Sequence, residues 1–63
     1  MKLTAQEEKI LDRLIEGRAG KQVASELGIT DNTLRGYIRH ICAKMDAPNR
    51  LVACAKWSEM KKK

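Results

Sequence analysis

The sequence predicts an all-α domain of four helices, over about residues 5–16, 20–27, 31–45 and 50–60, in which the second and third form a helix-turn-helix. Three observations carry that expectation. Apolar residues recur at helical spacing, and no alternating run suggests a β-strand. Residues suited to starting helices, Thr4, Thr30 and Asn49, precede the apolar stretches. Gly17, Gly28 and the segment Asp46-Ala47-Pro48-Asn49 follow them as stops.

The first helix opens on Thr4-Ala5-Gln6-Glu7, a capping box in which the Thr4 hydroxyl and the Glu7 carboxylate each bond the other residue's amide. Ile10, Leu11, Leu14 and Ile15 form its apolar stripe, and Glu7, Glu8, Asp12, Arg13 and Glu16 are expected mostly on the wet side. After the Arg18-Ala19 link, the second helix turns Val23, Ala24 and Leu27 inward and stops at Gly28, where a left-handed residue is wanted. Ile29 points back into the core, and Thr30 caps the third helix. Neither helix of the pair can bury its stripe alone, so both must pack on the first.

On the third helix Leu34, Ile38, Ile41 and Met45 fall in one sector, and Asn32, Thr33, Arg35, Gly36, Arg39, His40 and Ala43 face away from it. The second set joins two arginines to very small residues, so a negatively charged rod can approach the backbone closely. A duplex major groove is wide enough to admit one such helix. Pro48 disfavours helix at the residue before it, and Asn49 caps a fourth helix with Ala53, Trp57 and Met60 on one side. Leu51, Val52, Ala55 and Ser58 spread over much of the remainder, more apolar surface than one small core consumes.

Sixty-three residues make one domain, read as residues 1–63 with a basic tail at 61–63. So short a chain holds too little buried surface for an enzyme cleft and is marginal in stability without a staple or partner. The single histidine has no Asp, Ser or Cys arranged with it for catalysis, so no enzyme is expected. His40, Cys42 and Cys54 do not make a zinc site: the cysteines are twelve positions apart, with no C-x-x-C, and Cys42 and His40 turn to opposite sides. Buried small thiols and no cofactor are the expectation. With no signal-peptide pattern and no apolar run long enough to span a bilayer, a cytoplasmic, reduced protein is expected, without a membrane partner.

The net charge of +5 is unevenly placed. Residues 1–31 carry five Lys/Arg against six Asp/Glu, whereas residues 32–63 carry eight against two. Discounting Lys61, Lys62 and Lys63 as a solvated run still leaves the second half at +3. Such asymmetry points to nucleic acid or another acidic surface.

Together these residues resemble the LuxR-type (GerE-like) helix-turn-helix family from Leu3 to about Ala55. The shared pattern is Leu3-Thr4 with Glu7, Ile10-Leu11, Gly17, Lys21 with Val23-Ala24, Leu27, Ile29-Thr30, Thr33-Leu34, Ile41, Lys44-Met45, Asn49-Arg50 and Ala53. The resemblance implies a sequence-specific, double-stranded DNA-binding regulator of transcription whose third helix enters the major groove and whose fourth forms a two-fold dimer contact. By position it implies base reading by Arg35, Gly36 and Arg39, and phosphate contacts by Lys21, Thr33, Lys44 and Arg50. His40 is a further phosphate candidate, and Leu51, Val52, Ala55 and Ser58 are the dimer candidates. Lys44 or Arg50 can alternatively pair internally with Glu7.

The chain departs from the family pattern at Gln6, where arginine is usual, at Tyr37 for histidine, at Gly36 for a larger residue and at Trp57 for a small one. Gly36 costs about 1 kcal/mol relative to alanine within a helix. Family members usually carry this module behind a receiver or ligand-binding domain, whereas this chain is read as the module alone. The competing reading is a small antagonist that heterodimerises with a longer LuxR-type protein through the fourth helix; it has no need of basic residues on the groove side.

Overall fold

The computed structural model describes residues 3–61. Four helices form, α1 (Ala5–Ile15), α2 (Gly20–Leu27), α3 (Asp31–Lys44) and α4 (Arg50–Lys61), each within a residue of its expected limits. Among the described residues no helix is long and apolar enough to cross a membrane.

The start signals act as their chemistry requires. Thr4 and Glu7 make the reciprocal capping box, at 3.2 Å from the Glu7 amide to Thr4 Oγ1 and 2.9 Å from the Thr4 amide to Glu7 Oε1. Thr30 Oγ1 accepts from the Thr33 amide at 3.1 Å, and Asn49 Oδ1 from the Val52 amide at 3.0 Å.

The first three helices end in one way. A left-handed residue follows the last turn, and two amides bond back into it as a Schellman motif. At α1 the residue is Gly17, with φ +94°; at α2 it is Gly28, with φ +71°. At α3 it is Asp46, with φ +53°, whose amide donates to Ala43 O while that of Ala47 donates to Cys42 O. The stop is thus made by Asp46 two residues before Pro48, and Lys56 reinforces it by donating to Met45 O at 2.9 Å and Asp46 O at 3.1 Å. Left-handed backbone is strained for a residue with a Cβ. Asp46→Gly should therefore raise stability by about 0.5–1 kcal/mol, read as a higher urea midpoint at unchanged slope.

Ile10, Leu11, Val23, Ala24, Leu34, Ile41, Met45 and Ala53 form the core, each at most 4% exposed. α3 packs against the other three helices, which hold it from behind. Leu14, Leu27, Ile29, Tyr37, Ile38 and Trp57 are half-buried around this centre.

Several sequence expectations need correction. Glu7 is buried, at 3% exposed, because it continues the Ile10, Leu11 and Leu14 stripe one turn earlier, and its partners offset its desolvation. Asp12 is half-buried, accepting from Trp57 Nε1 at 2.9 Å and Lys61 Nζ at 2.6 Å. Lys61 is thus held within α4, bound to α1 and placed over the Trp57 ring, and no part of a free tail. Lys62 and Lys63, the rest of that expected tail, lie outside the described residues. Met60 is 48% exposed, since the inward side of α4 finishes at Trp57. Cys42 and Cys54 are half-buried free thiols, and Ile38 is at the core's edge.

Candidate nucleic-acid interface

The core seats α3 by Leu34, Ile41 and Met45, which fixes the face that remains outside. Asn32, Thr33, Arg35, Gly36, Arg39, His40 and Ala43 are all exposed, as the helical spacing requires. Among the described residues neither Arg35 nor Arg39 has a carboxylate within ion-pair distance, whereas Arg13 and Arg18 are engaged with Glu26 and Glu16. The two arginines leave successive turns of α3 with all their donors available to an external acceptor.

At the helix start the Thr30 hydroxyl lies 2.9 Å from Thr33 Oγ1 while its oxygen holds the Thr33 amide, which fixes the Thr33 side chain. One turn on, Thr33, Gly36, Tyr37 and His40 line a shallow hollow of about 220 Å³. A Cβ built on Gly36 meets nothing within 4 Å, so the space above this residue is open.

A second concavity, about 280 Å³, lies where α2, α3 and the start of α4 meet, lined by Gly20, Lys21, Asp31, Arg35 and Arg50 among others. Arg50 leans over the first turn of α2: its Nη1 is 3.5 Å from the place a Cβ on Gly20 would take. Ala19 supplies no side-chain cap to α2, leaving the amides of that turn without a side-chain acceptor. Orphan amides, the positive end of a helix and three cations from three helices favour an anion here, with Asp31 the one opposing charge. The sequence named Lys21, Arg35 and Arg50 separately; their meeting has no local signal, since the residues lie far apart in the chain.

Lys44 is committed elsewhere. Its Nζ donates to Glu7 Oε1 at 2.7 Å, so of the two internal partners considered for Glu7 the structure selects Lys44, and Arg50 stays free of it. Burial pushes the Glu7 carboxyl up, but the bonds from Lys44 and from the Thr4 amide outweigh it and hold the group below its ordinary value. At Asp12 the Lys61 and Trp57 bonds lower the carboxyl against a smaller opposing effect of burial. Both groups have folded values depressed below their unfolded ones. Their contribution to stability is therefore complete above the ordinary carboxylate range and lost as pH falls through the folded values. Acid titration of Glu7→Gln and Asp12→Asn should each show a flatter fall in stability below about pH 4.5 than the parent protein.

On α4 the dimer candidates divide. Leu51 is 77% exposed and Ala55 exposed, while Val52 and Ser58 are half-buried. Burial raises the Cys54 thiol, with Arg50 pulling the other way. Among the described residues no three His, Cys, Asp or Glu side chains gather into a metal-binding group.

Comparison with known proteins shows the family. The family described as bacterial regulatory proteins, luxR family (GerE), matches residues 1–56. The transcriptional regulatory protein DesR of Bacillus subtilis is 35% identical over 57 residues, covering 90% of this chain and 29% of DesR. The probable HTH-type transcriptional regulator GfsR of Streptomyces halstedii is 33% identical over 55 residues, 87% of this chain and 23% of its own length. The nitrate/nitrite response regulator protein NarP of Escherichia coli is 35% identical over 51 residues, 81% of this chain and 24% of NarP. The chain thus spans less than a third of each of these relatives. No solved structure gives a significant match. Four helices in the expected order, a helix-turn-helix closed at Gly28 and a family match over nearly the whole length place this chain in the luxR family, as its non-catalytic, DNA-binding helix-turn-helix domain.

Proposed function

We propose that the chain regulates transcription by binding a specific duplex sequence, with α3 lying in the major groove and α4 pairing with a second copy across two half-sites. The observation that carries this reading is the outer face of α3, where Arg35 and Arg39, on either side of Gly36 in the sequence, stand exposed and, among the described residues, without a carboxylate partner. An arginine so placed can donate two hydrogen bonds to guanine O6 and N7. Thr33 and His40 flank that face and take phosphates on one wall of the groove. Lys21 and Arg50, with the uncapped start of α2, take phosphates on the other. Such contacts set the register without reading sequence. Lys44 acts first as the tie between α3 and Glu7, and adds its charge to the phosphate field from there.

The exposed Leu51 and Ala55 on α4 support a dimer, as does the small size of the domain, which gains apolar burial by pairing. Selection from a random duplex pool tests the whole reading. It should return a palindromic consensus with half-site centres about 10 base pairs apart, one turn of the duplex. Affinity should fall with salt at a log–log slope of about −0.9 per phosphate contact, near −7 for about eight contacts in a dimer. Enrichment of no sequence, or binding indifferent to salt, overturns it.

A further inference from the structure

We propose that the hollow over Gly36 receives the C5-methyl group of a pyrimidine, so that each half-site carries a methylated pyrimidine beside the base read by the arginines. The inference rests on α3 lying in the major groove. Its starting point is a glycine that nothing inside the protein requires. Gly36 sits well within the fourteen-residue α3, its φ is not in the left-handed region, and a Cβ there would meet no other group. A helix-interior glycine lowers helix stability. Backbone geometry and internal packing give no return for it, so the open space must serve something outside.

The chemistry around the hollow selects the occupant. At about 100° per residue, Arg35 and Arg39 lie on one flank of position 36, and Thr33, Tyr37 and His40 lie on the other. The hollow opens on the second flank, away from the cations, and its walls are mostly carbon. The oxygen of Thr33 is already within bonding distance of the Thr30 hydroxyl. Base edges in the major groove offer donors and acceptors throughout and one apolar group, the methyl carried by thymine. 5-Methylcytosine presents the same methyl at the same ring carbon. A guanine under the arginine flank and a methyl under the Gly36 flank would use both sides of one helix at once.

The test starts from the duplex enriched from the random pool and replaces each thymine of a half-site in turn by uracil, which removes only the methyl. One position should lose about fourfold in affinity, the value of burying a single methyl group. At that position a cytosine–guanine pair should bind more weakly than thymine–adenine. Recovery by 5-methylcytosine–guanine makes the methyl alone the ligand; no recovery assigns the hollow to thymine in its own pair. Gly36→Leu places a branched side chain in the hollow, so it should bind the thymine and uracil duplexes equally while melting at a higher temperature than the parent. Indifference to uracil at every position, or a Gly36→Leu variant that keeps the full thymine preference, overturns the inference and leaves the DNA-binding reading intact. A pool that enriches nothing brings down both.

Discussion

Arg35→Ala together with Arg39→Ala is expected to abolish the preference for the selected duplex over a scrambled one. Each bidentate arginine–guanine pair contributes about 1–3 kcal/mol of discrimination. Losing two per half-site removes about 2–6 kcal/mol from each half-site, which is roughly 30-fold to 10⁴-fold in relative affinity for each half-site occupied. Stability should change by less than about 0.5 kcal/mol, because both side chains are exposed and neither is held by a carboxylate among the described residues. Titration against specific and scrambled duplexes, beside a urea melt, measures both quantities. Lys21→Ala offers the contrasting pattern, weakening both duplexes alike and making the salt slope shallower by about 0.9 for each phosphate no longer neutralised. A double arginine variant that still chooses its site would remove α3 as the reading element.

Ile41→Ala is expected to have the largest effect on folding. Ile41 is 1% exposed on the inner side of α3, in the cluster with Ile10, Leu11 and Ala53. Truncating a buried isoleucine costs about 2–5 kcal/mol, through lost burial and the cavity left behind. At about 0.05–0.15 kcal/mol per residue, a domain of this length has only about 3–9 kcal/mol to lose. The variant should therefore unfold in low urea and bind no DNA, whereas Ile41→Val, costing about 0.5–1.5 kcal/mol, should keep the fold and the binding. An Ile41→Ala protein as stable as its parent would mean that the inner face of α3 does not anchor it.

What the sequence told about this domain is what depends on short range. The Thr4–Glu7 box, the Thr30 and Asn49 caps and the left-handed Gly28 each involve residues within a few positions, and the structure has all of them. The outer face of α3 was legible for the same reason, since once the apolar stripe is placed, helical angle fixes what lies opposite. What was misread depends on partners distant in sequence. Glu7 was assigned to water by its charge, although its spacing from Ile10, Leu11 and Leu14 puts it on the stripe; Lys44, 37 residues away, makes that burial tolerable. Asp12 meets Trp57 and Lys61 across 45 and 49 residues, so neither the half-buried position of Asp12 nor the anchoring of Lys61 has a local signature.

The stop of α3 shows a different limit. The segment Asp46-Ala47-Pro48-Asn49 marks the stop in the sequence, but its left-handed residue has no signal as strong as Pro48, since Asp46, which ends the helix, is only modestly favoured in that backbone. At the candidate interface the residue types were visible and their assembly was not. Arg50 reaches the start of α2 only because α4 follows a turn that brings its first residue over Gly20. Conversely, the openness above Gly36 could be suspected from the cost of a glycine within a helix, and the hollow beside it emerged only with Tyr37 and His40 in place.

In this proposal the exposed face of α3 is the surface that meets duplex DNA. Following the backbone amide resonances of the protein while the selected duplex is added tests it most directly. The account predicts the largest shifts from Asn32 to Ala43, with the Gly36 amide among the most displaced, and a second group at Gly20, Lys21 and Arg50. Shifts confined to α1 and the far side of α4, with Arg35, Gly36 and Arg39 unmoved at saturation, would contradict it.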